Sequence, residues 1–218
     1  MRKAFQVAID SPAASGAGTQ AKLICKYYNF FYLDTGKLYR ILGKLYLENN
    51  KKINYKLFKK KIKKTKVSDL KKKNLLNNEI GMASALVAKD NKIRIFVTEY
   101  QRKIADNPPK NYKGVCFDGR DITYKIMPKA EVKIFMKANI KVRARRRYLE
   151  LKKMNFKVNY NKILADIRER DKSDYTRKIS PLKICDDAKV IDNSKLNIKE
   201  CFKIIKNEID RALIKFHE

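Results

Sequence analysis

The chain has 218 residues, 44% of them apolar, enough to bury the core of one domain and to exclude disorder throughout. No run of about 18 apolar residues is present to span a bilayer, and the opening MRKAFQVAIDSPAA lacks a secretory signal pattern, so an unprocessed cytoplasmic protein with no membrane partner is expected. With 53 Lys and Arg against 23 Asp and Glu, the net charge of +30 attracts polyanions of any kind, so charge alone cannot choose between nucleic acid and nucleotide.

Ala4–Ile9 (AFQVAI) is a short apolar run that fits a buried strand. The SPAASGAGT after it is a loop of small residues, opening a helix from about Gly18 to Tyr28. Phe30–Leu33 (FFYL) reads as a second strand and Gly36 to about Leu47 as a helix, an order that begins a parallel α/β sheet. Between Asn49 and Asn78, Lys59, Lys60, Lys61, Lys63, Lys64, Lys71, Lys72 and Lys73 crowd around few apolar residues. This predicts a small solvated insertion rather than an RNA-binding patch, because no aromatic platform alternates with the lysines.

The α/β rhythm then resumes. Met82–Ile104 reads as a helix, Gly114–Phe117 (GVCF) and Val132–Met136 (VKIFM) as buried strands, and Asn139–Lys153 and Asn161–Lys172 as helices. Ala188–Asp192 (AKVID) is a last strand. Asn197 with Glu200 three residues on predicts a capping box, and Ile198, Phe202, Ile205 and Ile209 an apolar stripe on the helix it opens. Cys25, Cys116, Cys185 and Cys201 form no CxxC pair and read as small core residues. The one histidine, His217, stands next to the C-terminus, which disfavours triad and zinc chemistry, and no metal-ligand set is expected.

Four segments carry candidate chemistry. Ile9–Lys22 (IDSPAASGAGTQAK) stands where a phosphate loop should, after the first strand and at the start of the first helix. Against GxxxxGK[ST], Ser11 stands at the first glycine, Gly16 at the second and Ala17 at the lysine. As a free-standing pattern it fails, and a ligand-free turn of small residues has the same look. Leu33–Arg40 (LDTGKLYR) offers a carboxylate, a hydroxyl and the planar fork of Arg40. Alone it fits a strand end with a helix cap equally well. Asp118–Asp121 (DGRD) follows a buried strand, at the sheet edge where α/β folds bind ligands, or is an ordinary turn. Arg170–Arg177 (RDKSDYTR) puts Arg170, Asp174 and Arg177 at i, i+4 and i+7 on one helical face, a spacing that a surface ion-pair ladder shares.

Taken together and in order, these segments resemble the cytidylate kinases: GPxGxGKGT with its lysine replaced, LDSGxxYR, DGRD and RDxxDxxR, with SPL at Ser180–Leu182 following. Arg143, Arg145, Arg146 and Arg147 (VRARRRYLEL) resemble the family's RAxRR helix, and Ser84 and Arg94 the helix that contacts the pyrimidine. The family's DGRD usually continues with GT, where this chain has Ile122, Thr123 and Tyr124.

The resemblance implies an α/β P-loop NTPase fold of three layers, with a parallel five-stranded sheet and helices on both faces. It implies a single nucleoside monophosphate kinase domain over 1–218, with its core in 1–36, 80–154 and 182–218. A small NMP-binding insertion at about 37–79 and a helical lid at about 155–181 complete it. The implied reaction is transfer of the γ-phosphoryl group of ATP, with Mg2+, to CMP or dCMP in a monomer.

By the same resemblance ATP lies on Ser11, Pro12, Ala13, Ala14, Ser15, Gly16, Ala17, Gly18 and Thr19 with Arg143 and Arg147. CMP meets Asp34, Thr35, Tyr39, Arg40, Ser84, Arg94, Arg120, Asp121, Arg170, Asp174 and Arg177. Arg120, Asp118, Asp121 and Arg146 are the implied catalytic residues, and Lys22 or Arg143–Arg147 the candidates to replace the missing lysine. Two alternatives stay open. Ala17 and Thr123 motivate a nucleotide-binding pseudokinase of the same fold, and the charge motivates a nucleic-acid-binding protein. The latter is disfavoured because it leaves the ordered arginine and aspartate segments unexplained.

Overall fold

The structure is a computed structural model and describes residues 4–65, 67–70, 75 and 78–218. Lys71, Lys72 and Lys73 of the lysine-rich stretch lie outside the described residues. The chain forms two compact units, Met1–Leu33 with Pro108–Glu218, and Asp34–Asn107.

The first unit is built on a five-stranded sheet in the order β2-β3-β1-β4-β5, from β1 (Phe5–Asp10), β2 (Phe30–Asp34), β3 (Gly114–Gly119), β4 (Val132–Lys137) and β5 (Lys189–Asp192). β1 lies at the centre and runs parallel to β3, Phe5 opposite Gly114 and Asp10 opposite Gly119, and parallel to β4 from Val7 opposite Val132. β4 runs parallel to β5. Every residue of β1 is buried, as expected of a strand covered on both faces.

Helix α1 (Ala17–Tyr28) and the last helix, α9 (Ile198–His217), cover one face. Ala17, Ala21 and Ile24 from α1 and Cys201, Ile205 and Ile209 from α9 meet Val7, Ile9, Ile134 and Met136 there. Asn197 and Glu200 form the expected capping box on α9. The stripe on that helix differs from expectation at its start. Ile198 is 57% exposed, because it lies in the first turn, and Cys201 takes the inward position.

Helices α7 (Ile140–Lys153) and α8 (Tyr160–Thr176) pack on each other through Ala144, Ile163 and Ile167. A π-helical turn, Ile122–Ile126, follows β3 and returns the chain toward β4.

The second unit is helical: α2 (Thr35–Glu48), α3 (Tyr55–Lys64), α4 (Val67–Leu70), α5 (Asn78–Val87) and α6 (Asn91–Asp106). The stretch read as one helix over Met82–Ile104 is two, because Asp90 leaves the helical conformation and its carboxylate accepts from the Ile93 N–H at 2.9 Å, capping α6. The solvated insertion expected over the lysine-rich stretch contains an amphipathic helix. Phe58 and Ile62, one turn apart on α3, are buried against α6 while the lysines between them face solvent.

Candidate active site

The phosphate-loop segment bridges the carboxyl end of β1 and the start of α1. Ala14 and Gly16 both hold left-handed backbone, φ 58° and 87°. The family pattern puts glycine at each of these positions, and Ala14 occupies its left-handed turn at some steric cost. Helix geometry leaves the N–H groups of Ala17 and Gly18 without intrahelical acceptors, so they are available to an anion together with the positive end of the helix dipole. Ala17 itself is buried and brings no charge.

The loop is held from three sides. Ser11 N–H donates to the Gly119 carbonyl at 3.2 Å, which ties it to the DGRD segment. Asp171 on α8 accepts from Ala13 N–H at 3.1 Å and pairs with Arg143 at 2.6 Å. Arg143 also donates to the carbonyls of Ala13 and Ala138, so this buried arginine pins the loop through its backbone. Asn193, just after β5, donates its side-chain amide to the Ser15 carbonyl at 2.8 Å. Arg146 grips Asn193 in turn, at 2.9 Å to Oδ1 and 2.8 Å to its carbonyl. Arg147 pairs with Glu150 on its own helix, and Lys22 lies exposed on α1.

Carboxylates line the ends of β1 and β3. Asp118 Oδ1 accepts from the Tyr32 hydroxyl at 2.8 Å, and its other oxygen lies 3.5 Å from where a Cβ on Gly18 would stand. That places an acid beside the first turn of α1. Asp10, the last residue of β1, is fully buried and accepts from the Ile122 and Thr123 N–H groups and from the Thr123 hydroxyl. Burial pushes its carboxyl up to about 6, against those hydrogen bonds. Asp121 is buried at the mouth of the π-helical turn.

Arg120 donates through Nε to Asp174 at 2.7 Å, and Arg177 meets the other oxygen of the same carboxylate at 3.2 Å. Burial pulls the Asp174 carboxyl upward, but the charges of Arg120, Arg170 and Arg177 outweigh it and hold the group below the usual carboxylate range. Arg120 and Arg177, far apart in sequence, thus bond one acid, and Arg170, one turn back on α8, adds its charge. Arg177 differs from expectation in one respect: α8 ends at Thr176, and Arg177 is an extended residue just beyond it. A cavity of about 500 Å3 lies near the ends of β4 and β5, lined by Lys137, Asn139, Val142, Asp192 and Ser194 among others.

The remaining candidates belong to the second unit. Asp34 and Thr35 open α2, with Lys37 3.9 Å from the Asp34 carboxylate. Arg40 donates to the Leu75 carbonyl at 2.8 Å and lies against Gly81 of α5. Arg94 is 2% exposed, donates to the Ala88 carbonyl and stacks 5.5 Å over the Tyr39 ring. Ser84 donates to the Gly81 carbonyl one turn back on α5.

The sequence model of the family described as cytidylate kinase matches residues 7–211. This chain belongs to the cytidylate kinase family. A cytidylate kinase of Bartonella tribocorum is 39% identical to it over 218 residues, covering 99% of this chain and 98% of that one. One of Fusobacterium nucleatum is 38% identical, covering 94% of this chain and 97% of that one. Among solved structures, an uncharacterized protein from Eubacterium ventriosum superposes with a TM-score of 0.54 at 18% identity, over 94% of this chain and 98% of that one, which speaks to the fold alone.

In this cytidylate kinase family member, four residues that touch the motifs escaped the reading by motif. Asp10 closes β1, Asn193 follows β5, Tyr32 flanks LDTGKLYR, and Asp171 lies inside RDKSDYTR with no role assigned to it there. Asp10 carried a signal, as a carboxylate closing a largely apolar strand, and Asp171 another, as the first aspartate of RDxxDxxR. No helix among the described residues is long and apolar enough to cross a membrane.

Proposed function

We propose that this protein transfers the γ-phosphoryl group of ATP to CMP or dCMP, as an ATP-dependent nucleoside monophosphate kinase acting in the cytoplasm. The observation that carries the reading is the pairing of Arg120 and Arg177 on the Asp174 carboxylate, at the end of β3, the strand beside β1 and its phosphate loop, in a chain of the cytidylate kinase family.

Phosphoryl transfer asks for positioning and charge neutralisation rather than covalent chemistry from the protein. Backbone N–H groups of the loop Ser11–Thr19 cradle the triphosphate, with Arg143 and Asp171 keeping the loop in shape. Arg120 and Arg40 grip the acceptor phosphate. Arg170, Asp174 and Arg177 read the nucleoside, since cytosine offers acceptors at O2 and N3 and a donor amine, with Asp34, Thr35, Tyr39, Ser84 and Arg94 completing that contact. Asp121 orients the acceptor.

Mg2+ accompanies ATP, and the residues fit it: Mg2+ takes only one or two carboxylates beside phosphate and water, and Asp118 stands next to the first turn of α1. When bound it would supply charge neutralisation to the phosphates, with Asp118 the residue to hold it. No cation stands at Ala17, so the remaining charge falls to Arg146 and Arg147 on α7. Arg146 is the better placed, one residue removed from the loop through Asn193.

A coupled assay with CMP, dCMP, UMP and AMP tests the reading, with turnover expected for CMP and dCMP. Restoring the lysine with Ala17→Lys is expected to raise kcat by about a hundredfold, the scale of one preorganised charge at a developing anion. Absence of turnover with every pyrimidine monophosphate, in the native chain and in Ala17→Lys, would sink the transfer claim.

A further inference from the structure

The segment after α8 is a short strap, residues 177–182, whose geometry is not set by helix bonds. Ser180 within it holds left-handed backbone, φ 53°, although it is buried. Its carbonyl accepts from Arg177 Nε at 2.6 Å, so the direction of that guanidinium depends on where Ser180 sits. Leu182 N–H donates to the Asp174 carbonyl at 2.7 Å, which closes the strap back on α8.

The other anchor comes from the π-helical turn after DGRD. Lys125 Nζ lies 2.7 Å from Ser180 Oγ, and the Tyr124 hydroxyl donates to the Pro181 carbonyl at 2.5 Å. The Lys183 ammonium sits 4.5 Å over the Tyr124 ring. π-helical turns recur where a backbone is shaped for function.

We propose that Tyr124 and Lys125 are positioning residues for acceptor recognition, which clamp the strap so that Arg177 and Asp174 present one fixed surface to the nucleoside monophosphate. This rests on the reading of Arg177 as an acceptor contact. Tyr124 and Lys125 do not touch the nucleotide themselves. They act through Ser180 and Pro181, and the chain reaches Arg120 by way of the shared Asp174 carboxylate.

The test measures dissociation constants for CMP and for ATP by calorimetry, with KM and kcat beside them. The proteins are the native chain, Tyr124→Phe/Lys125→Met, Arg177→Ala, the combined triple variant and Lys125→Arg. The Tyr124→Phe/Lys125→Met pair is expected to weaken CMP about three- to tenfold, the scale of one or two neutral or singly charged hydrogen bonds, and to leave ATP unchanged. In the Arg177→Ala background the same pair is expected to change CMP binding by less than about twofold, because its effect passes through that arginine. Lys125→Arg keeps native CMP affinity. If the pair leaves CMP affinity unchanged while Arg177→Ala weakens it, the clamp is wrong and the acceptor reading stands. If Arg177→Ala itself leaves CMP affinity unchanged, both fall. If the pair weakens CMP and ATP equally and lowers the melting temperature, the contacts are merely structural and the proposal is overturned.

Discussion

At the scale of single residues, Asp10 shows how the phosphate loop and the DGRD turn are locked together. A carboxylate with no solvent exposure accepts three hydrogen bonds from Ile122 and Thr123, yet burial still raises its pKa from 3.8 to about 6. A raised carboxyl favours the folded state when protonated. As pH climbs from about 4 to 6 the unfolded chain loses this proton first, and stability falls across that window. The difference of about two pKa units corresponds to about 3 kcal/mol. Denaturant unfolding of the native protein and Asp10→Asn from pH 4 to 7 measures it: the native chain is expected to lose about 3 kcal/mol relative to the variant, with the gap level above pH 6. Parallel curves would show that the carboxylate ionises freely. Motif reading found Arg170, Asp174 and Arg177 because their spacing is local, and Arg120 because the DGRD segment carries it. It did not find Asp10, Tyr32 or Asn193, because each acts through partners at least 47 positions away.

At the scale of elements, most strands and helices were legible because periodicity and capping are written in neighbouring residues. The Asn197–Glu200 box is one case. The break between α5 and α6 was not, since Lys89–Lys92 (KDNK) fits an exposed turn of one continuous helix as well as a stop, and only the Asp90 cap decides. α3 was read as a solvated stretch because lysines outnumber its two inward residues, although Phe58 and Ile62 stand one helical turn apart. Gly43 is the least legible of all: nothing local says that α2 and α5 cross there, where a Cβ would lie 2.6 Å from Ser84 N and 2.9 Å from the Ile80 carbonyl. Both neighbours are backbone, so the helices would have to separate. Gly43→Ala is expected to cost about 1–3 kcal/mol in denaturant unfolding, as overpacking does. Gly36→Ala, on the same helix but exposed and no closer than 3.4 Å to the Asp34 side chain, is expected to be neutral or stabilising by up to about 1 kcal/mol. Equal effects at the two sites would refute a close crossing.

At the scale of the whole molecule, charge is the feature that motif and fold leave unused. The unit Asp34–Asn107 alone carries 20 Lys and Arg against 7 Asp and Glu, and α3 exposes Lys56, Lys59, Lys60, Lys61, Lys63 and Lys64 with no acid in its first turn. Both proposed substrates are anions, so a field of this sign raises their local concentration without discriminating between them. Salt weakens that attraction: from about 0.01 M to about 0.15 M ionic strength the Debye length shrinks from about 30 Å to about 8 Å. KM for CMP and for ATP is therefore expected to rise by about threefold or more across this range. kcat should hold within about twofold, because the arginines proposed to hold the substrates act at contact distance where salt screens little. Heparin, a polyanion with no base to be read, should inhibit at the low end and lose its effect at the high end. If KM stays flat, the lysines are a solvated coat, and the gathering of arginines on Asp174 alone accounts for substrate capture.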